Sequence, residues 1–207
     1  THIEDFAFSS FKGTLTFTGD YPALETIGKH AFIYADDTES AITFNGLPLL
    51  KQIEEGAFDL FSGKLTIEGE FPALETIGKY AFFDASNPES AISFSGLPLL
   101  KSIEFRAFDE FKGTLTITGK YPFLEKIEAV AFSYAGNNGS TVAIECSSPA
   151  GLTVDPNAFT YFKGTHNATN QWNKCGTSPD TTLTSANYVT VSANSALREN
   201  ITTIGAF

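Results

Sequence analysis

Glu68 and Glu145 are the carboxylates whose placement could do acid–base work, because each replaces a Thr, Asn or Ser in a recurring strand phrase and so breaks a regular pattern. A glycosidase needs two carboxyl groups about 5 to 9.5 Å apart. These two fall in phrases three units apart, which at about 4.8 Å per stacked strand means about 14 Å. Glu25, Glu75 and Glu125 recur every 50 residues, as do Glu4, Glu54 and Glu104. Such regularity marks a ladder of the fold, whereas an active site breaks the symmetry once. His2, His30 and His166 hold no fixed offset to a Ser or carboxylate, so no catalytic triad is assembled. His30 stands where the next copy has Tyr80. Cys and His show no metal-ligand spacing. The residues point away from an enzyme, and no cofactor or metal is expected.

Cys146 and Cys175 are the only cysteines, which suits one disulfide or two unrelated buried thiols. A bridge would close a loop of about 30 residues, worth about 3 kcal/mol in the loop-entropy model. The tripeptides Asn138-Gly139-Ser140, Asn167-Ala168-Thr169 and Asn200-Ile201-Thr202 match the N-glycan acceptor pattern. Clustered beside the cysteines, they favour an extracellular or cell-surface protein.

The net charge of -11 over 207 residues argues against nucleic acid or anionic membrane as partners, since both need clustered Lys and Arg. No apolar run of about 18 residues is long enough to span a bilayer. No charged-then-apolar leader opens the chain, and a first residue of Thr1 leads us to expect maturation or truncation.

The residues above are positioned by a repeat. Ala-Phe recurs at Ala7-Phe8, Ala31-Phe32, Ala57-Phe58, Ala81-Phe82, Ala107-Phe108, Ala131-Phe132 and Ala158-Phe159, at intervals of 24, 26, 24, 26, 24 and 27. A short unit alternates with a long one in a 50-residue double repeat that is nearly verbatim: LETIGKHAF from Leu24 returns as LETIGKYAF from Leu74. Each unit opens with strand-like alternation, as in Leu15/Phe17, Ile42/Phe44, Leu65/Ile67, Ile92/Phe94, Leu115/Ile117 and Val142/Ile144. A Gly then turns the chain and a Pro stiffens the turn. The rest of the unit, Leu-x-x-Ile-x-x-x-Ala-Phe, has apolar spacings of three to five and predicts a short helical or 3₁₀ turn. One strand and one turn cannot bury their own apolar face, so coils must stack, with the Phe column as the spine of a continuous core.

The period and the phrase Ile-Gly-x-x-Ala-Phe, as in IGKHAF and IGKYAF, resemble the BspA-like class of leucine-rich repeats over about residues 3 to 159. The resemblance implies an α/β repeat solenoid, a right-handed coil with a parallel β-sheet on one face and short helical or 3₁₀ turns on the other. It also implies a surface protein engaged in adhesion and in contact with host or matrix. The chain departs from the family pattern where Phe11, Phe61, Phe111 and Phe162 follow Ala-Phe. Residues 1–159 form the expected solenoid. Residues 160–207, rich in Thr, Asn, Ser and Gly, are expected as an irregular, disulfide-linked region that continues or caps it. Strand-like character returns at Val189-Thr190-Val191-Ser192, and a new repeat starts at Ile204-Gly205-Ala206-Phe207.

Two columns alternate with the core positions of the strands and face outward. One is Thr16, Thr43, Thr66, Ser93, Thr116 and Ala143; the other is Thr18, Asn45, Glu68, Ser95, Thr118 and Glu145. Hydroxyls dominate both. The functional expectation is a non-catalytic adhesion or binding face for a protein or glycan on a cell surface or matrix. The plainer reading is that Thr suits an exposed strand. A second expectation is a structural subunit of an extracellular fibre that self-associates through uncapped ends, as part of a longer array. A third, more distant, is an ice-binding surface built on the Thr ranks.

Overall fold

A computed structural model describes residues 1–18, 23–146 and 151–167, together with the backbone of two further strands, Thr182–Leu183 and Thr203–Ile204, which pair in parallel. The chain is a parallel β-solenoid of about six turns. Five to eight residues of each repeat form a long strand: β2 (Thr14–Thr18), β4 (Ala41–Asn45), β6 (Lys64–Glu68), β8 (Ala91–Ser95), β10 (Thr114–Tyr121) and β12 (Thr141–Cys146). The shorter β14 (Thr165–His166) closes this sheet, in which every strand pairs with those of the neighbouring coils. The alternation predicted the inside correctly, since Ile42, Phe44, Leu65, Ile67, Ile92, Phe94, Leu115 and Ile117 are all buried.

The α/β expectation with helical turns is overturned: the described residues contain no helix. In its place lies a second parallel sheet of two-residue strands: β1 (His2–Ile3), β3 (Thr26–Ile27), β5 (Gln52–Ile53), β7 (Thr76–Ile77), β9 (Ser102–Ile103), β11 (Lys126–Ile127) and β13 (Thr153–Val154). The Ile of each strand from β1 to β11 enters the core. The Ala-Phe segment that follows is a run of tight turns. A helix keeps all its N–H groups within one segment, but here alternate N–H groups leave the coil. Ala57, Asp59 and Phe61 donate within the coil to Glu54, Gly56 and Phe58, while Gly56, Phe58 and Leu60 donate to Lys79, Ala81 and Phe83 of the next. Apolar spacings of three to five arise from corners between flat segments, not from helical pitch.

This alternation explains the Ala-Phe mark. The N–H of Phe8, Phe32, Phe58, Phe82, Phe108 and Phe132 donates to the Ala carbonyl of the following unit at 2.7 to 2.8 Å. The rings stack coil on coil from Phe8 to Phe159, with centroids 4.7 to 5.3 Å apart and planes within 14° of parallel. Phe61 and Phe111 are also fully buried, and Phe61 meets Phe58 edge-on.

The turn segments contain two ladders of left-handed residues. Phe6, His30, Tyr80, Arg106 and Val130 directly precede Ala-Phe, and Ser10, Tyr34, Leu60, Asp84, Glu110, Tyr134 and Tyr161 lie four positions on; φ is +45° to +60° at all twelve. Gly56 takes the same conformation in the first ladder, with φ +62°. A left-handed third residue is what a type II turn requires. The backbone thus imposes a Gly or Asn preference that most of these residues do not meet.

Candidate functional site

The hydroxyl-bearing positions share the outer face of the long-strand sheet. Thr16, Asn45, Glu68, Ser95 and Glu145 are exposed, and Thr43, Thr66, Ser93, Thr116 and Thr118 are half-buried between neighbours. Thr18 is placed by its backbone at the end of β2. Across the first three coils the rows match the repeat alignment: Thr16, Thr43 and Thr66 stand side by side, as do Thr18, Asn45 and Glu68.

Beyond them the expected columns are broken, because the register steps by two residues. Thr66 pairs with Ala91 rather than Ser93, and Thr116 pairs with Thr141 rather than Ala143. Glu145 therefore lies beside Lys120, and a new row runs Ser93, Thr116, Thr141, Thr165. Hydroxyl oxygens of Thr141 and Thr165 approach to 3.3 Å. The step leaves inside and outside unchanged because the side-chain period is two. Buried serines mark it. The Ser90 and Ser140 hydroxyls accept the N–H of Leu65 and Leu115, both at 2.9 Å, whereas the Ser40 hydroxyl accepts that of Gly13, two positions earlier in the repeat, at 2.9 Å.

The other predicted positions are distributed differently. Cys146 ends β12 by its backbone, while Cys175 and Asn200 lie outside the described residues. Asn138 is exposed in a turn in which Asn137 Oδ1 accepts the Gly139 N–H at 2.9 Å. Asn167 is engaged by the solenoid itself: its Oδ1 accepts the Ile144 N–H and its Nδ2 donates to the Ile144 carbonyl, both at 3.0 Å. Its side-chain amide continues the ladder where β14 has ended. His30 stacks on Phe6 at 5.2 Å and His166 on Phe159 at 4.4 Å.

The recurring glutamates resolve into a ladder of alternating sign. Glu25 Oε2 lies 2.6 Å from Lys51 Nζ, and Glu75 forms the equivalent pair with Lys101. The Lys51 ammonium holds the Glu25 carboxyl below the usual carboxylate range, and Lys101 does the same for Glu75. These exposed pairs bridge neighbouring coils, and solvent screening leaves them little weight in stability. An open groove beside them is lined by Lys29, Gln52, Glu54, Glu55, Lys79 and Glu104. No group of three His, Cys, Asp or Glu among the described residues could hold a metal ion.

One cluster escaped the sequence reading. The Arg106 guanidinium lies 5.3 Å from the Phe83 ring centroid and 5.8 Å from that of Phe105. Tyr80 meets both rings edge-on at 5.8 and 5.5 Å. Arg106 Nε is 3.3 Å from Asp109 Oδ2. Asp59, Asp84 and Asp109 line the same three coils, and burial pushes each carboxyl above its usual range. Opposing that push, His30 acts on Asp59, Lys112 on Asp84, and chiefly Arg106 on Asp109. The available signal was variation. The residue before Ala-Phe is Phe6, His30, Gly56, Tyr80, Arg106, Val130 and Asn157 in turn, seven types in seven otherwise similar units.

Compared with family models, curated proteins and solved structures, the chain matches none.

Proposed function

We propose that the chain is a non-catalytic recognition module, extracellular or on a cell surface, that binds a protein or glycan through the outer face of its long-strand sheet. The observation that carries the reading is the set of hydroxyl rows, Thr16–Thr43–Thr66 and Ser93–Thr116–Thr141–Thr165, laid across consecutive parallel strands. At Thr43, Thr66, Ser93, Thr116 and Thr141 a strand backbone paired on both sides and half-buried side chains hold the hydroxyls in place before a ligand arrives, which lowers the ordering cost of binding. The Ile-Gly-x-x-Ala-Phe phrase and its similarity to BspA-like repeats support a surface role. A Cys146–Cys175 bridge and a glycan on Asn138 fit the same compartment.

An array of immobilised neutral glycans and extracellular matrix proteins, probed with the chain and with a Thr66→Lys/Thr116→Lys variant, tests this reading. The expected result is saturable binding that the variant weakens at least tenfold. Equal binding by the two proteins removes this face from the account.

A further inference from the structure

We propose that Tyr134 and Tyr161 form an oxidative cross-linking site, at which a haem peroxidase using hydrogen peroxide joins the two phenols as dityrosine and so ties two successive coils together. The site lies on the turn segments and does not depend on the hydroxyl sheet.

The second left-handed ladder runs Ser10, Tyr34, Leu60, Asp84, Glu110, Tyr134 and Tyr161, so neither the backbone nor the core dictates the residue type at this position. Tyr134 and Tyr161 are the two members at which aromatic residues fall in adjacent coils. The Tyr134 N–H donates to the Thr160 carbonyl at 2.9 Å, which sets the two residues side by side, and their rings stack with centroids 4.8 Å apart and 26° between planes. The Phe column stacks in the same way, but inside the core and without hydroxyls. Here both rings are exposed, at 47% and 68%, and each carries a phenol. The other described tyrosines lack one condition or the other. Tyr34 is exposed, but its ladder neighbours are Ser10 and Leu60. Tyr80 meets only Phe83 and Phe105, edge-on. Tyr121 is fully buried and donates its hydroxyl to the Phe94 carbonyl at 3.3 Å. Among the described residues no second pair of phenols is stacked.

The peroxidase removes one electron and one proton from each phenol. Two phenoxyl radicals result, with the unpaired electron of each shared onto the ring carbons ortho to the oxygen. A carbon–carbon bond forms between an ortho carbon of Tyr134 and one of Tyr161. Each of those carbons then loses its proton while the phenoxyl oxygen gains one, which restores both aromatic phenols. The two electrons and two protons withdrawn reduce one hydrogen peroxide to two waters, so the chain loses two hydrogens and nothing else. Selectivity comes from proximity. Radicals on neighbouring coils meet through rotamer changes of exposed side chains, which take about picoseconds to nanoseconds. Radicals on separate chains must first meet by diffusion, which is slow at low protein concentration.

The test treats the full chain, at low micromolar concentration, with a catalytic amount of haem peroxidase and hydrogen peroxide, and follows dityrosine by its fluorescence and by mass spectrometry of cross-linked peptides. The expected product is a monomer lighter by two hydrogens, in which the Tyr134–Tyr161 link is at least tenfold more abundant than any other pairing of the seven tyrosines. Tyr161→Phe, which keeps a ring at that position but no phenol, should abolish this link, and Tyr34→Phe should leave it unchanged. Unfolding the chain in urea before the oxidation should lower the yield of the link at least fivefold. Absence of the link, other pairings in equal abundance, or the same yield from the unfolded chain would overturn the proposal without touching the hydroxyl sheet.

Discussion

The ring of Phe58 lies flat against that of Phe82, with centroids 5.3 Å apart and 2° between their planes. Each ring in this column supports the next, so a gap interrupts both sides. Phe82→Ala removes a fully buried ring and should cost about 3 to 5 kcal/mol, whereas Phe82→Leu keeps most of the volume and should cost less than half of that. Chemical denaturation of the two variants checks the ordering. Similar losses would mean that the stacking geometry matters more than the volume.

Val130 is a β-branched residue at φ +51°, a conformation that costs such residues about 1 kcal/mol or more. Val130→Asn should therefore stabilise the chain by about 0.5 to 1 kcal/mol, because Asn tolerates the left-handed region. A lower denaturation midpoint for this variant would show that packing by the half-buried Val side chain outweighs the strain.

Asp59, Asp84 and Glu75 predict opposite pH effects. Burial raises the folded-state pKa of Asp59 and Asp84, so the folded chain binds more protons than the unfolded one. Their contribution is fully present below the ordinary Asp range and is lost as pH rises through the elevated values. Glu75 is lowered by Lys101, so its contribution is present above the ordinary Glu range and is lost on acidification. Asp59→Asn/Asp84→Asn should raise the thermal midpoint near neutral pH and leave it little changed below the Asp range. Glu75→Gln should flatten the loss of stability on the acid side. Midpoints measured from pH 3 to 7 separate the two effects.

Asn167 should behave as a structural residue. Its amide contacts both backbone groups of Ile144, and Asn167→Ala should cost about 1 to 2 kcal/mol through the unmatched partners left behind. In a secretory host, glycopeptide mass spectrometry should find Asn138 occupied and Asn167 largely unmodified, since a glycan on Nδ2 would compete with the bond to Ile144. Full occupancy at Asn167 in the folded protein would remove this role.

The long strands were legible because alternation such as Ile42-Thr43-Phe44 has a period of two, and the solenoid was legible because the 50-residue duplicate is nearly verbatim. The short-strand sheet was not. Two residues such as Thr76-Ile77 carry no periodicity, and corners such as Leu74 to Ile77 reproduce helical spacing. The left-handed ladders were hidden because Phe6, Tyr80 and Val130 are residues that rarely signal positive φ. The step that sets Thr66 beside Ala91 was invisible because a two-residue slip preserves every inward position. The outer hydroxyls were identified one by one, and their rows hold across the first three coils but not past the steps at Thr66 and Thr116.

The long-strand face as the recognition surface can be tested by following Thr methyl resonances during a titration with the tightest ligand from the glycan and matrix array. The methyls of Thr43, Thr66, Thr116 and Thr118 should shift together and saturate. Those of Thr26, Thr76 and Thr153, on the short-strand sheet, should stay in place. Shifts confined to Thr26, Thr76 and Thr153 would contradict the account.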